Sequence, residues 1–251
     1  FSDIRGFTPL VEGLSPQEHI GFINRYLAHM EPPIIEAGGF VDSYIGDAIM
    51  ALFDGAPDAA LRAAIGMSEQ LHVFNALRQR EGQAPVRIGV GINTGPLTLG
   101  TIGGPMRIKC GVIGDSVNLA ARVESLTKTY GAGLLISHHT RDRLTQPERL
   151  TLRQVDRVTV LGQSVPVTLY EVLDAEAPAL REAKRATLAQ WDQAWALYRA
   201  ARFEEAGRGF AACAAACPQD TAAALFVQRC ERLARSGVTS DWSGVEQLDH
   251  K

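Results

Sequence analysis

Apolar positions along the first two thirds of the chain switch repeatedly between a helical and a strand period. Ile20, Ile23, Tyr26, Leu27 and Met30 recur at the three- and four-residue spacing of one helix face. The residues before them read as a helix start, with Ser15 at the cap, Pro16 at the first position and Glu18 at the third. Gly38-Gly39 closes that helix. Two short apolar runs follow, Phe40–Tyr44 and Ala48–Phe53, and the Ile45-Gly46-Asp47 segment between them predicts a hairpin. Further on, the pattern predicts a helix over Asp58–Arg80 and strands over Val86–Asn93 and Leu97–Ile102. A helix over Asp115–Tyr130 follows a turn at Ile113-Gly114, then a buried strand at Leu134–Ile136. A last hairpin pairs Val155–Val160 with Val165–Leu173 around residues 161–164. Phe1–Ile4 reads as the end of another strand whose beginning is truncated. Interleaved helices and strands with frequent hairpins predict an α+β fold, a mixed, largely antiparallel sheet flanked by helices.

The texture changes near residues 174–181, where Asp174-Ala-Glu-Ala-Pro178-Ala has the small residues and proline of an exposed linker. Two units are expected, residues 1–174 and a small all-α region over residues 181–251. In the second, Trp191, Trp195, Tyr198, Phe203, Ala206, Phe210 and Pro218 have the spacing of a helix–turn–helix and resemble one tetratricopeptide-like unit. One such unit cannot bury its own face, so it is expected to pack on the first unit or on a partner; a simple helical cap is the plain alternative.

Composition narrows the field without choosing within it. The 251 residues are 46% hydrophobic and 21% charged, ordinary for a globular protein with a full core. Lys and Arg number 25 against 28 Asp and Glu, a net charge of -3, so no basic excess points to nucleic acid. Cys110, Cys213, Cys217 and Cys230 form no CxxC, which argues against a zinc site and for a reducing, cytoplasmic setting. No apolar run reaches the length of a membrane span.

Three constellations could carry chemistry. Asp3 ends a strand and is followed by Ile4-Arg5-Gly6-Phe7-Thr8, a turn into a helix that offers successive N–H groups to an anion. Asp47 lies in the predicted hairpin turn. If the two strands are neighbours, both carboxylates meet at one sheet edge, as an oxygen-ligated divalent cation beside a phosphate requires; singly, each is an ordinary cap or turn residue. Asn118 and Arg122 are four apart on one predicted helix and share a face, where an amide and a guanidinium could stabilise developing charge; Arg122 as a solvated helix residue is the alternative. Asp115 or Ser116 is expected to cap that helix. Arg87 is either an edge charge or a phosphate ligand, and Gly89 and Gly91 inside a strand imply close approach by other backbone. His19, His29, His138 and His139 lack metal-ligand spacing, His138-His139 reads as loop, and no serine has a GxSxG context.

Phe1-Ser-Asp3-Ile-Arg-Gly-Phe-Thr8, Tyr44-Ile-Gly-Asp47-Ala-Ile-Met-Ala-Leu-Phe53 and Val112-Ile-Gly-Asp-Ser-Val-Asn118-Leu-Ala-Ala-Arg122-Val-Glu124 occur together and in order. Over residues 1–174 the chain thereby resembles the class III adenylate/guanylate cyclase catalytic domain. The resemblance implies a ferredoxin-like cyclase core and a homodimer with active sites at a head-to-tail interface. It implies that Asp3, Asp47 and the Ile4 carbonyl bind two Mg2+ or Mn2+ ions, and that Gly6, Phe7 and Thr8 cradle phosphate. Arg87 would grip the terminal phosphates of a nucleoside triphosphate, ATP being favoured, and Asn118 and Arg122 of the other copy would position the ribose and stabilise the transition state. The implied reaction yields a 3′,5′-cyclic nucleotide and pyrophosphate for signal transduction.

The resemblance is imperfect at the base. Ser43 and Gly111 occupy the two positions that select the base in the family and match neither the adenine nor the guanine pair. Leu161-Gly162-Gln163 lacks the lysine of the family's phosphate-contacting turn. A guanylate or relaxed-specificity cyclase therefore stays open, as does a catalytically weak module that binds nucleotide and dimerises. The end of the chain, Asp241–Lys251, is similar to the tail of bacterial cyclases with upstream sensors and membrane spans, which implies a parent protein anchored through an upstream region at the cytoplasmic face of the inner membrane.

Overall fold

The computed structural model describes residues 1–104, 107–160, 165–238 and 242–248. In chain order its elements are β1 (Ser2–Ile4), α1 (Phe7–Val11), α2 (Pro16–Glu36), β2 (Phe40–Ile45), β3 (Ala48–Leu52), α3 (Asp58–Arg80), β4 (Ile88–Ile92), β5 (Thr98–Gly104) and β6 (Arg107–Ile113). Next come α4 (Asp115–Tyr130), β7 (Leu134–Ser137), α5 (His138–Arg141), β8 (Leu152–Val160) and β9 (Val167–Val172). Four tail helices, α6 (Pro178–Ala186), α7 (Leu188–Arg199), α8 (Phe203–Ala216) and α9 (Thr221–Ser236), precede a short last strand, β10 (Glu246–Leu248).

Eight strands form one sheet in the order β10-β8-β9-β7-β4-β1-β3-β2, while β5 and β6 form a separate ribbon. The pairs β4–β7 and β8–β10 are parallel and the other described pairs antiparallel, the mixed sheet that the pattern predicts. Alternate strand residues serve two cores. Leu134 and Ile136 of β7 pack with α2 and α3 side chains such as Tyr26, Met30 and Phe74, whereas Leu135 packs with Val123 of α4 and Trp191 of the tail. The tail thus has no core of its own and buries its apolar face on the sheet. No helix among the described residues is long and apolar enough to cross a membrane.

Local chemistry explains most boundaries. Ser15 and Glu18 form a complete capping box at the start of α2. Its apolar face differs from the expected one: Phe22, Tyr26, Met30 and Ile34, spaced by four, are buried while Ile20 is 62% exposed. Gly114, not Asp115 or Ser116, holds the cap position of α4, without a side-chain cap. His138 and His139 open the short helix α5 rather than a loop, with Ser137 accepting the Thr140 N–H. Leu161-Gly162-Gln163 lies outside the described residues.

Two glycines let α4 lie directly on β4. A Cβ on Gly91 would come 2.0 Å from the Glu124 backbone nitrogen, so helix and strand touch main chain to main chain. A Cβ on Gly89 would meet the Arg5 guanidinium and the Thr127 hydroxyl, so the second glycine makes room for side chains.

Candidate functional site

β1 sits in the middle of the sheet, between β3 and β4, with Asp3 paired opposite Gly89. Ser2 and Ile4 are buried and Asp3 is half-buried. The hairpin joining β2 to β3 turns at Gly46-Asp47, with Gly46 at φ +66, the left-handed conformation that glycine supplies at the first position of such a turn. That turn swings Asp47 back over β1, where its Oδ2 accepts the Ile4 N–H at 3.1 Å. Burial first, and then the facing Asp3 carboxyl, push the Asp47 carboxyl up to about 6. The two acids predicted to share a sheet edge do share it.

The other groups at this end follow from the chain path. Gly6, at φ +64, turns the chain into α1, with Phe7 packed against His19 and Phe22 and Thr8 exposed. Arg87 is exposed, and its carbonyl accepts the Arg5 N–H at 2.8 Å, which puts it beside the same sheet end. Arg5 turns inward instead. Its guanidinium passes through the space left by Gly89 and pairs with Glu124 at 3.1 Å, also reaching the Glu124 carbonyl at 3.4 Å. Both residues fall inside the recognised motifs, but nothing in their spacing shows that they meet.

Asn118 and Arg122 lie at the opposite end. Thr127 stands over Gly89, Glu124 over Gly91 and Ser116 beside Gly95, so α4 runs antiparallel to β4. Two strand residues span ~7 Å and the six helical residues from Glu124 to Asn118 span ~9 Å, so Asn118 is roughly 16 Å from the level of Asp3. Asn118 is exposed and Arg122 half-buried. Neither side chain has a hydrogen bond or ion pair among the described residues. Ser43 sits in edge strand β2 beside a bulge, and Gly111 sits in the ribbon opposite Gly100, so the two belong to different sheets.

The donor set at the acidic end suits a hard divalent cation. It is made of oxygens and anionic, and its two carboxylates face each other with no cationic side chain paired to either among the described residues. No group of three or more Asp, Glu, His or Cys gathers among the described residues, so the protein supplies a partial set of the kind that leaves positions for water and phosphate oxygens.

A family model described as the adenylate and guanylate cyclase catalytic domain matches residues 1–173. An adenylate cyclase of Anabaena cylindrica is 47% identical over 178 residues, 68% of this chain and 36% of that protein. The terminal-differentiation-specific adenylate cyclase of Dictyostelium discoideum is 38% identical over 236 residues, 92% of this chain and 11% of that protein, so its likeness extends into the tail. The chain thus spans about a third and a ninth of these two relatives. Among solved structures, the guanylyl cyclase Cya2 aligns with a TM-score of 0.61 at 36% identity, covering 70% of this chain and 91% of that one. The adenylyl cyclase CyaB from P. aeruginosa aligns with a TM-score of 0.60 at 34% identity, covering 68% and 90%.

Proposed function

This chain belongs to the adenylate and guanylate cyclase catalytic-domain family, and on that footing we propose that it converts ATP into 3′,5′-cyclic AMP and pyrophosphate as a homodimer with two shared active sites. The separation of the carboxylate pair from the Asn118–Arg122 face carries the proposal. Offset along α4 by roughly 10 Å at Arg122 and roughly 16 Å at Asn118 in one copy, the two sets complete each other only when a second copy docks head to tail. A docking surface is at hand: Phe40, Tyr44 and Ile45 on β2, and Leu97, Leu99, Ile102, Ile108 and Ile113 in and beside the ribbon, are large apolar side chains left exposed.

In the proposed site, Asp3, Asp47 and the Ile4 carbonyl hold two Mg2+ or Mn2+ ions, which supply charge neutralisation to the triphosphate and acidify the ribose 3′-hydroxyl. N–H groups of Gly6, Phe7 and Thr8 take phosphate oxygens, and Arg87 grips the terminal phosphates. From the second copy, Asn118 orients the ribose and Arg122 holds the charge that develops on the oxygens of the α-phosphorus. The 3′-oxygen bonds to that phosphorus as its bond to the pyrophosphate oxygen breaks, and the hydroxyl proton leaves to solvent. The adenylate cyclases at 47% and 38% identity support ATP. Ser43 offers one hydroxyl and Gly111 no side chain, which favours relaxed base selection as the second reading.

Cyclic product is to be measured with Mn2+ and each of the four nucleoside triphosphates. Cyclic AMP should dominate and vanish in Asp47→Ala. Mixing inactive Asp47→Ala with inactive Arg122→Ala should restore about a quarter of the activity, since half the dimers are mixed and each of those has one intact site. No product from the unaltered protein, or none on mixing, would defeat the proposal.

A further inference from the structure

The tail and the catalytic sheet are joined by buried charges that the chemistry proposed above does not use. Asp220, at the cap of α9, accepts two bonds from Arg153 of β8, at 2.5 and 3.0 Å. Arg153 also pairs with Glu171 of β9, and Glu171 with Lys184 of α6 at 2.6 Å. Nine residues along α9, Arg229 donates to Asp156 of β8 at 2.5 Å. Asp156 accepts in addition the Tyr130 hydroxyl at 2.6 Å and the Arg157 N–H at 2.7 Å, so its carboxylate is well satisfied although wholly buried.

A bulge in β8 makes this possible. Residues 153 and 156 would ordinarily point to opposite faces of a strand. Pairing shifts between Gln154 and Asp156, leaving Val155 as the extra residue and turning both charged side chains toward the tail. Tyr130 is the last residue of α4. The glycine that follows it, Gly131, has φ +63 and lies so close to Thr221, the first residue of α9, that a Cβ would be 2.4 Å from its hydroxyl. Leu119 and Val123 of α4 share one core with Phe210, Phe226 and Leu233 of the tail. The C-terminal end of the helix that carries Asn118 and Arg122 is therefore held between the sheet on one side and α9 on the other.

We propose that the helical tail is a brace on α4, with Arg229 a positioning residue that acts through Asp156 and Tyr130 to set where Asn118 and Arg122 stand. This rests on the cyclase reading above. Removing Arg229 would strand a buried carboxylate and could unfold the seam, so the test uses Tyr130→Phe, which deletes one hydroxyl and leaves the Arg229–Asp156 pair in place. The full chain is assayed with Mn2+ and ATP, alongside thermal unfolding and amide hydrogen exchange. The brace predicts a fall in kcat of at least fivefold, an unchanged KM and Mn2+ dependence, an intact unfolding transition above the assay temperature, and faster exchange in the first turns of α4. Full kcat in folded Tyr130→Phe, or a loss of activity matched by the unfolded fraction, would overturn it. A silent unaltered protein would instead indict the cyclase reading, so the two failures are told apart.

Discussion

The two ends of the molecule treat buried or half-buried charge in opposite ways. At the seam between sheet and tail, Arg153, Asp156, Glu171, Lys184, Asp220 and Arg229 are all buried, and each meets an opposite charge within hydrogen-bonding distance. At the acidic sheet edge, Asp3 and Asp47 face one another with no cationic side chain paired to them among the described residues. The pairing at the seam offsets the desolvation that burial imposes and fixes one geometry. Like charges brought together at the edge store an unfavourable interaction that a bound cation would relieve. The seam pairs its charges and holds one shape; the edge keeps two like charges together.

An arginine removed from each region should separate these roles. Arg122→Ala should lower kcat by about 10²–10³-fold, with little change in unfolding temperature, as read from cyclic-nucleotide assays beside calorimetry. Arg153→Met should destabilise by about 3–5 kcal/mol, because it leaves Glu171 and Asp220 buried without their partner. In a chain of 251 residues that is a drop of roughly 10 °C in the unfolding midpoint. A stable Arg153→Met or an unstable Arg122→Ala would erase the contrast.

Acid and base should also act with opposite sign on Glu171 of the seam and Asp47 of the edge. Burial raises the Glu171 carboxyl, but Arg153, Lys184 and the hydrogen bonds it accepts together outweigh that and hold it down at about 2, below its ordinary 4.5. That stability is present above pH 4.5 and is lost as pH falls toward 2. Asp47 is raised from 3.8 to about 6, so its contribution is fullest below pH 3.8 and is lost as pH rises through 6. In a chelator, Asp47→Asn should therefore raise the unfolding midpoint at pH 7.5 more than at pH 5, and Mn2+ should stabilise the unaltered protein with the same pH preference. Equal shifts at both pH values would show that the edge is not under charge strain. The smallest effect belongs to neither region. Ser15→Ala removes the α2 cap, a loss of about 1 kcal/mol, and should leave kcat unchanged.

Legibility in the sequence followed the range of the interactions. The α2 cap, the Gly46-Asp47 turn and the close approach at Gly91 depend on residues near one another or on a missing side chain, and spacing alone displays them. The ribbon strand β6 and the last strand β10 were not predicted. Exposed Ile108 and Ile113 lack the alternation that burial on one face imposes, and β10 is only three residues long. The seam was invisible for another reason. Arg153 and Asp220 are 67 residues apart in the chain, and only a one-residue bulge turns Asp156 to the same side. The carboxylate edge could be stated only conditionally, since Asp3 and Asp47, far apart in the chain, become neighbours through strand order.

The main-chain contact at Gly91 gives α4 a fulcrum. With backbone against backbone at Glu124, the helix has no compressible side chain there, so its distance from β4 is fixed at that point. Six residues, about 9 Å, lie on either side, to Tyr130 in one direction and Asn118 in the other. The tip that α9 grips therefore stands as far from the fulcrum as the tip that carries Asn118.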